Sequence, residues 1–163
     1  MARDRKELEH FLSQQYLAQS LTLAEIGTLL EYTECVEFNK DDLIADVGEV
    51  GEALFFVLSG EVTLVHVSGK SEVEVGRMLA GELMGEMSFF DREPRSARLK
   101  ARKKETEVLR MSRAMYKRLR VEHPYIAVNV LEQAIISLDH LVRRMGKSAA
   151  NLSGYLFASG GRH

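Results

Sequence analysis

Apolar residues recur at helical spacing in the first part of the chain, at Leu8, Phe11 and Leu12 and again at Leu23, Ile26, Leu29 and Leu30. Side chains three and four positions apart share one face of a helix, so this pattern predicts helices near residues 4–18 and 22–31. Thr22 and Glu25 have the spacing of a capping box, which predicts that the second helix begins there. We therefore expect an N-terminal helical segment, residues 1–21, ahead of a domain formed by residues 22–157.

From Val36 to Met111 the helical period gives way to short strand-like runs that glycines interrupt, among them ALFFVLSG, EVTLVHV and SEVEVG. Ser68-Gly69-Lys70 joins two of these runs as a hairpin turn does. Val73 and Val75 alternate with glutamates, which is typical of a half-buried strand. Many short strands with glycine turns predict a β-sandwich or a β-barrel.

Helical patterns return after Met111. The run SRAMYKRLRVEH predicts one helix, and Pro124 suits the first turn of a long helix over about 124–157. Residues 158–163 are expected to form a disordered tail. One apolar row of the long helix repeats at heptad spacing and is called the seam below: Val128, Leu131, Ile135, Leu138, Val142, Met145, Ala149 and Leu152.

A second apolar row lies on the same predicted helix, at Ile126, Val130, Ala134 and Leu141. Two rows predict two contacts, one with the strands and one with a partner helix, so we expect a parallel homodimer through the seam. In the alternative, the helix only covers the barrel as a lid.

Composition and charge narrow the function classes without selecting one. The 163 residues suit a single domain, and a formal net charge of −2 gives no reason to expect nucleic acid as a partner. The longest apolar run is too short to span a bilayer and no signal peptide begins the chain, so we expect a cytoplasmic protein without a membrane partner. One cysteine and five scattered histidines predict no metal site. The basic residues between Arg92 and Arg120 are interpreted as a solvated strand face and helix, and the alternative is a contact surface for an acidic partner.

The segment GEMSFFDREPRSARLKA, residues 85–101, carries the candidate chemistry. It lies between a strand ending in Leu79 and a strand beginning near Ala97. A short helix there would favour an anion, and Arg95 adds a fork of donors to the same anion. Glu86 would repel an anion unless it faced another part of the ligand, such as a sugar hydroxyl. The segment therefore indicates a nucleotide, and the alternative is a direct ion pair between Glu86 and Arg95.

A longer pattern extends this interpretation: glycines at 48, 51 and 60, Gly81 and Gly85 in AGELMGE, and then Arg95-Ser96-Ala97. In order and spacing it resembles the cyclic-nucleotide-binding domain family, of the catabolite activator protein and cAMP-dependent protein kinase regulatory subunit type. The resemblance covers roughly Thr22 to Met145. It implies an α+β, mainly β fold, a β-roll or jelly-roll barrel of about eight strands with N-terminal helices and a long C-terminal helix.

The resemblance also implies roles for individual residues. Glu86 would bind the ribose 2′-hydroxyl, and Arg95 would bind the cyclic phosphate. Ser96, which stands with Ala97 at the end of the motif, would bind the phosphate or the base. The backbone of Gly85, Met87 and Ser88 would help to hold the sugar and the phosphate. The base side of the site would be lined by Leu64, Val75, Gly76 and Met78, although each of these also suits an ordinary core.

By the same resemblance, the chain is a non-catalytic sensor of a cyclic nucleotide that signals through its C-terminal helix. Leu141 and Val142 offer no polar contact to the base, and the expected ligand is cAMP, with a cGMP-preferring sensor as an alternative. A second alternative is a structural or protein-interaction module that keeps the fold without a ligand. The expected partner is a second copy or another protein. Fewer than twenty residues follow Gly146, so no DNA-reading module and no direct DNA binding are expected.

Overall fold

The protein is described by a computed structural model that covers residues 3–15, 18 and 20–159. Beyond residue 140 it describes the backbone of the last helix and the side chains of Val142 and Arg143. The helices are α1 (Arg5–Ser13), α2 (Leu23–Glu31), α3 (Glu86–Asp91), α4 (Arg113–Glu122) and α5 (Pro124–Ser159). The strands are β1 (Glu34–Phe38), β2 (Leu43–Ala45), β3 (Ala53–Ser59), β4 (Glu61–Ser68), β5 (Ser71–Leu79), β6 (Leu83–Met84), β7 (Arg98–Ala101) and β8 (Thr106–Ser112).

The strands of the described residues form two four-stranded sheets, in the orders β1-β8-β3-β6 and β2-β7-β4-β5, and the pairs are antiparallel. Helices α1 and α2 precede the sheets, and the long helix α5 follows them. The predicted α+β, mainly β jelly-roll architecture with N-terminal helices and a long C-terminal helix is confirmed.

The apolar run of β3 is buried on both faces, which explains why its sequence does not alternate. Leu54, Phe56 and Leu58 belong to a core shared with the helices, whereas Phe55 and Val57 belong to a core between the two sheets. Helix α5 closes the first core through Ile126, Ala127 and Val130. The last helix is therefore packed on the same sheet that carries β6, the strand next to α3.

The predicted capping box and the predicted hairpin turn both form. The capping box forms, with Glu25 N donating to Thr22 Oγ1 at 3.2 Å and Thr22 N donating to Glu25 Oε1 at 2.9 Å. Ser68 pairs with Ser71, so Gly69 and Lys70 form a two-residue hairpin loop, and Gly69 has the positive φ of 60° that such loops favour.

Two local predictions are wrong. Helix α1 ends at Ser13, before the predicted end at residue 18, although residues 16–17 and 19 lie outside the described part of the chain. Strand β5 is not half-buried, because Val73 and Val75 are both exposed. The reason is its place in the sheet, since β5 is an edge strand and, within the described part of the chain, pairs only with β4.

The two predicted apolar rows of helix α5 differ in how deeply they are buried. In the second row Ile126, Val130 and Ala134 are buried, as predicted. Along the seam Leu131 and Leu138 are partly buried, while the exposed fractions rise to 48% at Val128, 65% at Ile135 and 64% at Val142. The side chains of the other members of these rows, Leu141, Met145, Ala149 and Leu152, lie outside the described residues.

The helix also runs two residues past the predicted end at Phe157, to Ser159. Residues 160–163 of the predicted tail lie outside the described part of the chain.

Candidate functional site

The predicted short helix forms at α3 and is bounded by two residues with left-handed backbone conformation. Gly85 precedes it with φ 81°, and Arg92 ends it with φ 61°. A side chain at position 85 would be strained by this φ, and its Cβ would lie 3.2 Å from Phe55 Cδ2 and 3.4 Å from the Arg95 guanidinium nitrogens. Glycine therefore lets the chain turn into α3 directly beside Arg95.

Glu86 is the first residue of α3, and its side chain is only 6% exposed. Its Oε1 accepts a hydrogen bond from Ser137 Oγ of α5 at 2.7 Å. Burial raises the pKa of the Glu86 carboxyl, and this is only partly opposed by the Ser137 hydrogen bond, by the Glu86 backbone N–H and by the positive charge of Arg95. A buried carboxylate that accepts a hydroxyl hydrogen bond can also accept one from a sugar.

Arg95 lies beside the N-terminal end of α3 and is partly buried. Its Nη1 donates to Gly85 O at 3.5 Å, and no described residue forms an ion pair with it. Burial lowers the pKa of the Arg95 guanidinium, against the charges of Glu49 and Glu86. The alternative interpretation, in which Glu86 and Arg95 pair directly, is wrong, because the two groups share a neighbourhood without an ion pair between them.

The backbone around Arg95 is fixed by the loop between β2 and β3. Arg95 N donates to Glu49 O at 2.8 Å, and Gly48 N donates to Arg95 O at 2.9 Å. Val50 and Pro94 form an isolated antiparallel bridge in the same place. These contacts set the direction from which the Arg95 side chain leaves the backbone.

Ser88 holds the same loop to α3. Its Oγ accepts from Gly51 N at 2.7 Å and donates to Glu93 O at 2.6 Å. Both contacts are to backbone groups of the protein, so the Ser88 hydroxyl has a structural role. The ligand contact predicted for Ser88 was through its backbone, and that prediction is unaffected. Met87 is exposed, as is Ser96, whereas Ala97 is partly buried.

Sequence reasoning missed Arg113, which it assigned to a solvated basic surface. Arg113 Nη2 donates to Gly51 O and to Phe89 O, each at 2.6 Å, and its guanidinium lies 4.5 Å from the centre of the Phe89 ring. The residue joins the start of α4 to α3 and to the loop before β3. No local motif marks it, because all of its partners are distant in sequence.

The predicted base-side residues lie together on β4 and β5, but they differ in environment. Leu64 pairs with Gly76, and both Leu64 and Met78 pack partly against the core between the sheets. Val75 falls at a register shift between the two strands and is 57% exposed. The interpretation of Val75 as ordinary core is therefore wrong, whereas Leu64 and Met78 are compatible with a core or a pocket wall.

Gly51→Ala is expected to destabilise the protein by about 1–3 kcal/mol through overpacking. A Cβ at this position would lie 2.7 Å from Phe89 N and 2.9 Å from Ser88 C, which are backbone atoms of α3. Urea unfolding measures the loss. Gly76→Ala is the control, because its Cβ would meet nothing closer than Leu64 at 3.8 Å, and an equal loss in both variants would contradict the close approach.

Glu86→Gln is expected to stabilise the protein by about 1 kcal/mol at pH 7.5, because the parent must keep a buried carboxylate ionised. The pKa of Glu86 is raised in the folded protein, so this gain is present above the raised value and disappears as the pH falls to about 4.3, the ordinary value for glutamate.

Unfolding of both proteins by urea at pH 7.5 and pH 4 tests this expectation. The exposed Glu132 provides the control in Glu132→Gln. A Glu86→Gln variant that is less stable than the parent at pH 7.5 would show that burial of the carboxylate is fully compensated.

The described residues contain neither a helix suited to span a membrane nor a group of side chains suited to bind a metal ion. None of their helices combines the length and the apolar character needed to cross a membrane. Within residues 3–15, 18 and 20–159, no three histidine, cysteine or acidic side chains are grouped so that they could hold a metal ion.

Solved structures similar to this chain have the same fold. A cyclic nucleotide-binding domain from Methylobacillus flagellatus matches at 26% identity with a TM-score of 0.74, over 86% of this chain and 79% of that one. The catabolite activator protein of Thermus thermophilus matches at 30% identity with a TM-score of 0.65, over 86% of this chain and 63% of that one.

A similar sequence is the cAMP-dependent protein kinase regulatory subunit of Mucor circinelloides f. lusitanicus, 27% identical over 59% of this chain. The chain covers 22% of that relative's length. The family model of the cyclic nucleotide-binding domain matches residues 35–123, which include β2 to β8, all but the first residue of β1, and α3 and Arg95. Domains of this family are generally non-catalytic regulatory modules that bind cyclic nucleotides. The chain belongs to the cyclic nucleotide-binding domain family.

Proposed function

We propose that this domain binds cAMP and acts as a non-catalytic sensor that signals through α5. The observation that carries the proposal is that a buried carboxylate, Glu86, and a partly buried guanidinium, Arg95, both lie next to Gly85 and form no ion pair with each other. A partly buried guanidinium without an ion pair can bind an anion, and a nearby buried carboxylate can accept from a hydroxyl. A cyclic nucleotide presents these two groups on one rigid ring system.

The proposed contacts follow from this geometry. Arg95 binds the cyclic phosphate, and the backbone N–H groups in the first turn of α3 support it, since they have no acceptor within the helix. Glu86 accepts from the ribose 2′-hydroxyl. The full set of proposed ligand-binding residues is Gly85, Glu86, Met87, Ser88, Arg95, Ser96, Ala97, Leu64, Val75, Gly76 and Met78.

The base preference is proposed from the chemistry of the wall. Leu64 and Met78 offer apolar surface, and the exposed Val142 on α5 has no polar group to offer. Guanine has more polar edge atoms than adenine, so it would leave more groups without partners against such a wall. This supports cAMP over cGMP, with Ser96 as the side chain able to hydrogen-bond either base.

Calorimetric titration with cAMP, cGMP and cyclic di-GMP tests the proposal. We expect cAMP to bind with a Kd on the order of 1 μM, a free energy of about −8 kcal/mol, and cGMP to bind more weakly. The same samples, incubated with cAMP, should form no 5′-AMP. If no nucleotide releases heat or raises the Tm, the domain is instead a structural module that has lost its ligand.

We also propose a parallel homodimer through the seam of α5, in the cytoplasm, with a further protein partner of unknown identity. The exposed seam residues Val128, Ile135 and Val142 support it, because they recur every seven positions on one side of the helix. Ligand could bias such a dimer only by binding one arrangement of the helices more tightly than another.

A further inference from the structure

One hydroxyl connects the long helix to the candidate sugar-binding carboxylate. Ser137 Oγ lies 2.7 Å from Glu86 Oε1 and 3.2 Å from Leu83 O. A serine hydroxyl has one proton, so Ser137 can donate fully to only one of these two acceptors, and the shorter distance favours Glu86. Among the described residues, no other hydrogen bond joins α5 to the segment from β6 through Arg95. Ser137 is 51 positions from Glu86 in the chain, so the contact exists only in the folded domain.

The shorter of these contacts matters because Glu86 is buried. A carboxylate taken out of water needs donors, and an uncompensated one is protonated instead. The charged group that faces Glu86 is Arg95 on the loop before β7, which forms no ion pair with it, and α5 presents the neutral hydroxyl of Ser137. Ser137 therefore supplies a donor from α5 in addition to the Glu86 backbone N–H, and the two carboxylate oxygens retain the capacity to accept a further hydrogen bond.

We propose that Ser137 is a positioning residue that holds the Glu86 carboxylate ionised and oriented for a sugar hydroxyl, and that this contact couples the sugar site to α5. The inference rests on the proposed function, and it names the hydrogen bond through which ligand binding would affect the long helix. Ser137 itself does not touch the ligand in this role.

The coupling has a definite sign. A sugar hydroxyl that donates to Glu86 favours the ionised carboxylate, and an ionised carboxylate accepts a stronger hydrogen bond from Ser137 than a protonated one. Ligand therefore tightens the attachment of α5, and by reciprocity an attached α5 favours the ligand. Loss of the hydroxyl should weaken both effects together.

The first experiment needs no nucleotide. The Glu86 carboxyl is titrated by carbon-detected NMR in the parent, in Ser137→Ala and in Ser137→Thr. We expect the alanine variant to titrate at higher pH than the parent, because a hydrogen bond that favours the charged form is removed, and the threonine variant to return towards the parent. Identical titration curves in the parent and Ser137→Ala would overturn the inference, whether or not any nucleotide binds.

The second experiment measures cAMP binding by calorimetry at pH 7.5 and pH 5.5. We expect Ser137→Ala to weaken binding about tenfold at pH 7.5, and its affinity to fall further than that of the parent at pH 5.5. Ser137→Thr should restore most of the affinity. Glu132→Ala, an exposed change on the same helix, is the control and should bind as the parent does.

The outcomes separate the two proposals. A parent that binds no cyclic nucleotide removes the proposed function, and the carboxyl titration alone then decides the role of Ser137. A parent that binds cAMP while Ser137→Ala binds as tightly, or more tightly, with the same pH profile removes the positioning role and leaves the proposed function intact.

Discussion

Arg95→Ala is expected to weaken cAMP binding roughly 10- to 150-fold, which corresponds to about 1.5–3 kcal/mol. The guanidinium is partly buried and donates one long hydrogen bond, of 3.5 Å, to Gly85 O. Most of its donors are therefore available to a phosphate, and their removal leaves that anion without its cationic partner. Calorimetry of the parent and the variant measures the loss.

Two variants sharpen this test. Arg95→Lys keeps the charge and removes the planar fork, so we expect an intermediate loss. Arg98→Ala is the matched control, because Arg98 lies three positions away in an ion-pair network with Asp46 and Glu72 and is not part of the proposed site. Circular dichroism should confirm that each variant folds. If Arg95→Ala binds cAMP as tightly as the parent does, or Arg98→Ala loses as much affinity, the phosphate assignment is wrong.

The features of the fold that the sequence predicted are the ones that neighbouring residues determine. The capping box at Thr22 and the hairpin at Gly69 each depend on fewer than five consecutive residues, and both formed as predicted. The exposure of Val73 and Val75 could not be predicted in this way. It depends on the order of the strands, which places β5 at the edge of its sheet, and alternation along one strand contains no information about that order.

The candidate site divides in the same way. Glu86 and Arg95 were identifiable because both lie on one continuous motif, and the short helix between them is local. Arg113 and Ser137 were not, since their contacts to Phe89 and Glu86 span 24 and 51 positions. A serine in a helix or an arginine in a basic run has no distinctive sequence signal. Such residues are found only when the fold shows which backbone groups and carboxylates they meet.

The long helix presents the clearest surface that the domain does not itself cover. Its second apolar row is buried at Ile126, Val130 and Ala134. This row covers the strands, so the seam is not needed for that contact. The seam residues Val128, Ile135 and Val142 are exposed along the same helix. Exposed apolar residues at a heptad repeat favour pairing with a second helix, and a second copy presents the same repeat.

Ile135→Glu is therefore expected to convert a homodimer into a monomer. The side chain is 65% exposed within one chain, so the substitution should leave the fold intact, whereas Leu138, which is partly buried, would confound the two effects. In a dimer the new carboxylates would face apolar surface, and their desolvation should weaken association at least about a hundredfold. Analytical ultracentrifugation at roughly 1–100 μM covers the corresponding range of affinities.

Val121→Glu is the matched control for the seam. Val121 is an exposed apolar residue on α4 outside the heptad repeat, so the same change of chemistry should leave the dimer intact. Addition of cAMP should shift the dimer equilibrium of the parent if the helices of the two copies respond to the ligand. A parent that sediments as a monomer at the highest concentration, with and without cAMP, would remove the homodimer and leave α5 as a cover for the barrel.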